Sequence, residues 1–88
     1  MNPETMNKII KAVEHAKAKH PYFCENLPHA VSLATEELGE LAKAVNDGKQ
    51  AEIEAEALDT IAVLVRMIEL VNDLSEPERI ELYPEHLR

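Results

Sequence analysis

Residues 36–59 read EELGELAKAVNDGKQAEIEAEALD, and this stretch decides how the chain folds. The triplet Asn46-Asp47-Gly48 at its centre is typical of a helix end, because glycine readily adopts the left-handed conformation that closes a helix. Two acidic helical segments therefore lie on either side of a short turn. Because short connections join antiparallel helices, we expect a helical hairpin here.

Each arm of the expected hairpin carries a pair of carboxylates on one face. Residues three apart share a helix face, so Glu37 points the same way as Glu40, and Glu56 the same way as Asp59. Four carboxylates brought together by the hairpin repel one another unless a cation lies among them. Oxygen ligands without sulfur suit Mg²⁺ or Mn²⁺, and such an ion also binds phosphate oxygens. The pattern predicts a metal site.

Local signals predict three main helices and a short C-terminal one. Start signals occur at Asn2-Pro3-Glu4, at Asn26 and Pro28, and at the capping-box pattern Ser75-Glu76-Pro77-Glu78. We expect helices at about 3–19, 28–47, 50–74 and 75–82. On the second helix, apolar residues at alternating intervals of four and three form one narrow seam: Leu27, Val31, Ala34, Leu38, Leu41 and Val45.

Composition and length favour a small all-α protein made of one domain over residues 1–88. The net charge of −8 disfavours binding to nucleic acid or to anionic membranes. A single cysteine, Cys24, excludes an intrachain disulfide. No apolar run is long enough to cross a membrane and no signal peptide follows Met1, so we expect a cytoplasmic protein.

The third helix predicts an oligomer. From Ala57 to Val71 it is apolar nearly all round, interrupted only by Asp59, Thr60, Arg66 and Glu69. Such a helix is buried on several sides. Because three helices of one short chain cannot surround it, we expect a homodimer or homotetramer in which a four-helix-type bundle forms across the interface between chains.

The combined pattern is more specific than its parts. Glu-Glu-x-x-Glu, then fifteen residues, then Glu-x-x-Asp, with a turn in between, resembles the MazG-like nucleotide pyrophosphohydrolases of the all-α NTP pyrophosphatase superfamily. The resemblance is strongest over Ala30 to Leu70, about half of the chain. It implies a helical dimer or dimer of dimers. It also implies Mg²⁺-dependent hydrolysis between the α- and β-phosphates, which yields a nucleoside monophosphate and pyrophosphate.

The resemblance also assigns roles to residues. Glu37, Glu40, Glu56 and Asp59 match the metal ligands, and Glu36 matches the leading Glu, a candidate to hold or activate the attacking water. Family members carry further Lys, Asn or Arg near the C-terminus that help to hold phosphates, whereas Arg79 and Arg88 are the only basic residues after Asn72 here. We therefore expect Arg66, lysines of the first helix or a partner chain to bind phosphates.

Several alternatives stay open at this stage. His29 lies two turns before Glu37 on the same helical strip, where it either binds a phosphate or base or simply stands half-exposed at a helix start. Asp59 is either a metal ligand or the partner of Lys8, Lys11 or Arg66 in a salt bridge. The substrate is a nucleoside triphosphate or a related phosphoribosyl-nucleotide. The non-enzymatic alternative is an acidic helical domain for oligomerisation or nucleotide binding.

Overall fold

The computed structural model describes residues 1–73, which form three α-helices and no β-strand. The helices are α1 (Pro3–Lys19), α2 (Leu27–Asn46) and α3 (Gln50–Asp73). The prediction of an all-α fold with three main helices is confirmed. The short helix predicted over residues 75–82 lies outside the described part of the chain.

Asparagine side chains cap the first two helices. Asn2 Oδ1 accepts a hydrogen bond from the Thr5 backbone N–H at 2.9 Å, and Asn26 Oδ1 accepts one from the His29 N–H at 2.9 Å. Each cap is followed by a proline in the first helical turn, where the missing N–H costs no intrahelical bond. Because Asn26 is the cap, α2 begins at Leu27, one residue before the predicted start.

The turn between α2 and α3 is closed by Gly48, whose φ is +67°. The Lys49 N–H donates to the Ala44 carbonyl at 3.0 Å, and the Gly48 N–H donates to the Val45 carbonyl at 3.2 Å. These two bonds form a Schellman motif, which satisfies the last carbonyls of α2. The chain reverses here, and α2 packs against α3 as the predicted hairpin.

Helix α3 is the central element, since it packs against both α2 and α1. The fully buried side chains within residues 1–72 are small: Ala30 and Ala44 of α2 and Ala62 of α3, with exposed fractions of 0%, 3% and 3%. Alanines at these positions let the helix backbones approach closely. No large apolar side chain is fully buried in this part of the chain.

Ion pairs hold α1 against α3. Lys8 Nζ lies 2.7 Å from Glu54 Oε1, and Lys17 Nζ lies 2.9 Å from Glu69 Oε1. No residue of α1 is fully buried. The first helix is therefore attached partly by polar contacts with solvent-accessible side chains, which are individually weak.

The apolar seam predicted on α2 is only partly covered. Val31, Leu38 and Val45 follow one another at intervals of two turns and are 52%, 56% and 53% exposed. On α3, Leu64 and Ile68 are 45% and 60% exposed in the single chain. The sequence predicted that a partner chain is needed to surround this helix, and the single chain does not test that prediction. The described residues of one chain thus leave apolar faces open on both arms of the hairpin. None of the described helices is long and apolar enough to cross a membrane.

Candidate functional site

A cleft of about 510 Å³ lies where the three helices and the loop after α1 meet. Its volume is within the ordinary range for pockets that bind small molecules. Acidic residues from the hairpin and basic or aromatic residues from α1 and the loop line the same cleft. Those with polar or aromatic side chains are His15, Lys19, His20, Tyr22, Phe23, His29, Glu37, Asp59 and Arg66.

A carboxylate cluster borders this cleft. Glu37 of α2 and the pair Glu56 and Asp59 of α3 each offer an oxygen, and these three oxygens lie within 4.8 Å of one another. Glu56 and Asp59 are three residues apart, so they project from one face of α3. The hairpin thus brings together residues from both acidic motifs, as the spacing predicted.

Two oxygens of the cluster are buried without a hydrogen-bond partner among the described residues. They are Oε2 of Glu37 and Oε2 of Glu56. Leaving a buried acceptor unpaired is costly, and an ionised carboxylate costs more than a neutral group. A divalent cation would satisfy both oxygens at once. The donor set consists of oxygens alone, which fits Mg²⁺ or Mn²⁺ better than a softer metal.

The electrostatics of the cluster agree with that geometry. Burial raises the pKa of Glu37 above its ordinary value, and the negative charges of Glu40, Asp59, Glu56 and Glu36 raise it further. Burial also raises the pKa of Glu56, and the neighbouring carboxyl groups of Glu40, Asp59 and Glu52 raise it further. Without a cation, these carboxyl groups therefore hold protons more tightly than isolated ones.

The structure brings Glu40 close to the cluster but not into its centre. Glu40 perturbs both Glu37 and Glu56, yet it is not one of the three residues whose oxygens lie within 4.8 Å. Glu36 is exposed and acts on Glu37 only as the weakest of the neighbouring charges. Both residues were assigned to the site from sequence, and both lie at its margin.

Asp59 forms no ion pair with Lys8, Lys11 or Arg66 within the described part of the chain. Lys8 pairs instead with Glu54 and, at 3.8 Å, with Glu4. The salt-bridge alternative for Asp59 therefore has no counterpart in this structure. Asp59 is exposed, and it lines the cleft together with Glu37.

His29 lines the cleft and is exposed. The Glu25 backbone N–H donates to His29 Nδ1 at 3.4 Å, while the His29 N–H donates to Asn26. In the neutral imidazole this leaves the hydrogen on Nε2, which can donate to a ligand. Both readings of His29 from sequence are thus compatible with its position, since it belongs to the start of α2 and faces the cleft.

Arg66 reaches from α3 to the opposite wall. Its Nη1 donates to the Ala16 carbonyl of α1 at 3.4 Å, and its guanidinium carbon lies 4.9 Å from the centre of the Phe23 ring. A cation over an aromatic face is attracted by the ring's quadrupole. Arg66 therefore joins α1, the loop and α3 while it lines the cleft.

Two cleft residues, His15 and His20, were given no role from the sequence, and Lys19 was expected only as one of the lysines of the first helix. Ala12, His15, Ala16 and Lys19 recur at helical spacing, so they share one face of α1. A search at intervals of three and four from Ala12 could have found His15, and the same intervals from His15 lead to Lys19.

Comparisons of the chain with models of protein families, with curated proteins and with solved structures found no match. The function is therefore inferred from the carboxylate cluster and the cleft.

Proposed function

We propose that this protein is an Mg²⁺-dependent nucleoside triphosphate pyrophosphohydrolase of the MazG-like type. The observation that carries the proposal is the cluster of Glu37, Glu56 and Asp59, with two buried carboxylate oxygens that have no hydrogen-bond partner among the described residues. The cluster borders a cleft of about 510 Å³ that is large enough for a nucleotide. The proposed reaction, hydrolysis between the α- and β-phosphates, follows from the resemblance of the two acidic motifs to that family.

The carboxylates of the cluster would hold the metal, with Glu40 beside them. When bound, Mg²⁺ would supply neutralisation of phosphate charge and a lowered pKa of a bound water. Glu36 precedes Glu37 in the chain, and its exposed carboxylate is the group we assign to accept a proton from the attacking water. Cleavage between the α- and β-phosphates then gives a nucleoside monophosphate and pyrophosphate.

The remainder of the cleft suits the rest of a nucleotide. Phe23 is half-buried and offers an aromatic face. His29 offers a donor from Nε2. Aromatic side chains stack on nucleobases of every kind, whereas donors and acceptors at the edge of a base determine which base is preferred.

We also propose that the active protein is a homodimer or homotetramer. The support is the exposed apolar surface on both arms of the hairpin, at Leu38 of α2 and at Leu64 and Ile68 of α3. A second chain that covers these faces would complete a four-helix bundle from two hairpins, as in other bundles of antiparallel helices.

A pyrophosphate-release assay tests the function. Nucleoside and deoxynucleoside triphosphates are supplied with and without Mg²⁺ to the wild type, to Asp59→Asn and to the control Asp47→Asn. We expect Mg²⁺-dependent release that falls more than about 100-fold in Asp59→Asn, because loss of a direct ligand exceeds the usual cost of losing an outer-shell partner. Asp47→Asn, at the exposed end of α2, should retain wild-type activity.

Two results would count against the proposal. Release that is equal in Asp59→Asn and the wild type would remove the cluster from the reaction. No release from any triphosphate would reject this substrate class and direct the search to phosphoribosyl-nucleotides or to a role without catalysis.

A further inference from the structure

Several side chains that line the cleft carry positive charge or hydrogen-bond donors. Lys19 and Arg66 line it, as do three of the four histidines of the chain, His15, His20 and His29. The protein as a whole has a net charge of −8, so such a grouping is unusual for its surface. The acidic cluster borders the same cleft, which therefore has both an acidic and a basic side.

The lysines of α1 differ in their partners. Lys8 pairs with Glu54 and Lys17 pairs with Glu69 across the contact between α1 and α3. Lys19 forms no ion pair with any residue within the described range, although it is on the same helix. Among the described residues, no carboxylate is therefore paired with its charge, which is available to an anion in the cleft.

Arg66 is held in place by contacts other than an ion pair among the described residues. Within residues 1–73, its guanidinium contacts the Ala16 carbonyl and the Phe23 ring. A guanidinium carries five N–H donors, and one of them is directed at Ala16. The ring and the carbonyl fix the plane of the guanidinium, so less side-chain entropy is lost when an anion binds.

We propose that His15, Lys19 and Arg66, here called the cationic wall, bind the β- and γ-phosphates of the substrate, which depart as pyrophosphate. This inference rests on the proposed function and assigns the other half of its site. The sequence after Asn72 has only two basic residues, so the wall supplies the positive charge that this tail lacks. A neutral base or a sugar would gain little from a lysine without an acidic partner, whereas a diphosphate group gains charge-assisted hydrogen bonds.

Binding of inorganic pyrophosphate tests the wall directly. The dissociation constant is measured by titration calorimetry in the presence of Mg²⁺, with the full chain as wild type, as Lys19→Ala and as Lys11→Ala. Lys11 is the matched control, because it is an exposed lysine of α1 that does not line the cleft. We expect Lys19→Ala to weaken binding by about tenfold or more, the loss expected for one charge-assisted hydrogen bond, and Lys11→Ala to have little effect.

Three outcomes would overturn the inference: no binding of pyrophosphate to the wild type, equal affinity in Lys19→Ala, or equal losses in the two variants. Titration of a nucleoside monophosphate separates the two ends of the substrate. Its affinity should be unchanged in Lys19→Ala, and a loss confined to the monophosphate would show that the wall binds the nucleoside half instead.

The proposed function and the cationic wall can fail separately. If the wild type releases pyrophosphate from a triphosphate but Lys19→Ala binds pyrophosphate with unchanged affinity, the cationic wall is refuted. The proposed enzymatic function is then still supported. Pyrophosphate binding that depends on Lys19, in a protein that hydrolyses no triphosphate, would support the anion site and refute the enzyme.

Discussion

At the scale of single residues, Glu37 and Glu56 keep carboxylate oxygens buried without a partner among the described residues. Their pKa values are raised, so the folded protein binds protons at these groups more tightly than the unfolded chain does. Below the pKa that these carboxyl groups have in the unfolded chain, their protonation stabilises the folded state in full. This stabilisation is lost as the pH rises through the higher pKa of the folded state. Without a metal ion at neutral pH, the ionised carboxylates of Glu37 and Glu56 therefore destabilise the folded state.

Glu37→Gln removes one of these charges and keeps the shape of the side chain. Without metal at pH 7, we expect the variant to melt at a higher temperature than the wild type, because repulsion from its neighbours is gone. The difference should shrink as the pH falls towards the ordinary range of glutamate, where the wild type becomes protonated. Thermal melts from pH 4 to 8 with a chelator measure it.

The control for this prediction is Glu14→Gln, an exposed residue of α1 away from the cluster. Its melting temperature should follow the wild type at every pH. If Glu37→Gln does the same, Glu37 carries no unfavourable charge in the folded state.

Spacing predicted that Glu37, Glu40, Glu56 and Asp59 would come together, because residues three apart share a helix face and an antiparallel hairpin can bring two such faces together. The structure places three of them within 4.8 Å of one another and leaves Glu40 at the margin. Spacing did not identify Lys19 or His15. Their place in the site depends on which face of α1 turns towards α3, and that is fixed by contacts between distant parts of the sequence, such as Lys17 with Glu69.

At the scale of elements, the hairpin turn depends on the backbone of Gly48. Its φ of +67° is strained for any residue with a Cβ. Gly39, within α2, has a helical backbone, and a Cβ there would meet nothing within 4 Å. Substitution by alanine should therefore change the free energy of unfolding in opposite directions at the two glycines of the chain.

We expect Gly48→Ala to lower the free energy of unfolding by about 1 kcal/mol or more, the cost of a left-handed conformation. Gly39→Ala should raise it by roughly 0.5–1 kcal/mol, because alanine loses less backbone entropy in a helix. Urea unfolding followed by circular dichroism measures both. Equal effects of the two substitutions would contradict the described turn.

The bounds of the helices could be predicted because they are local. Asn2, Asn26 and Gly48 each act on backbone groups within a few residues. Three of the six predicted helix ends agree with the observed ones, and the other three differ by one residue. The exposure of Val31 and Leu38 could not be predicted in this way. A helical pattern shows which residues share a face, but not whether another helix of the same chain covers that face.

At the scale of the whole molecule, the described residues fully bury only small side chains and leave large apolar ones open to solvent. Contiguous exposed apolar surface commonly marks an interface between proteins. The chain is short, and small domains gain much of their stability from association when their own core is limited. Self-association would thus cover the apolar surface that the described residues leave open.

Leu38→Glu places a charge in the middle of the exposed stripe on α2. If a second copy covers this stripe, the wild type should be a dimer or larger at micromolar concentration, and the variant should dissociate, because an unpaired charge would be buried. Light scattering coupled to size exclusion measures the mass. Ser32→Glu, at an exposed polar position of the same helix, is the control and should remain associated.

A monomeric wild type would refute the proposed assembly. Loss of association in both variants would show that added charge, rather than the stripe, is responsible.

The central claim is that the carboxylate cluster holds a divalent cation, and a Mg²⁺ titration of thermal stability tests it most directly. Wild type, Glu56→Gln and the exposed control Glu14→Gln are melted at increasing Mg²⁺ concentration and constant ionic strength. An ion that binds only the folded state adds about 2.7 kcal/mol at a hundredfold excess over its dissociation constant. We expect the melting temperature to rise steeply in the wild type and in Glu14→Gln, but little in Glu56→Gln. An equal rise in all three, or none in any, would contradict the account.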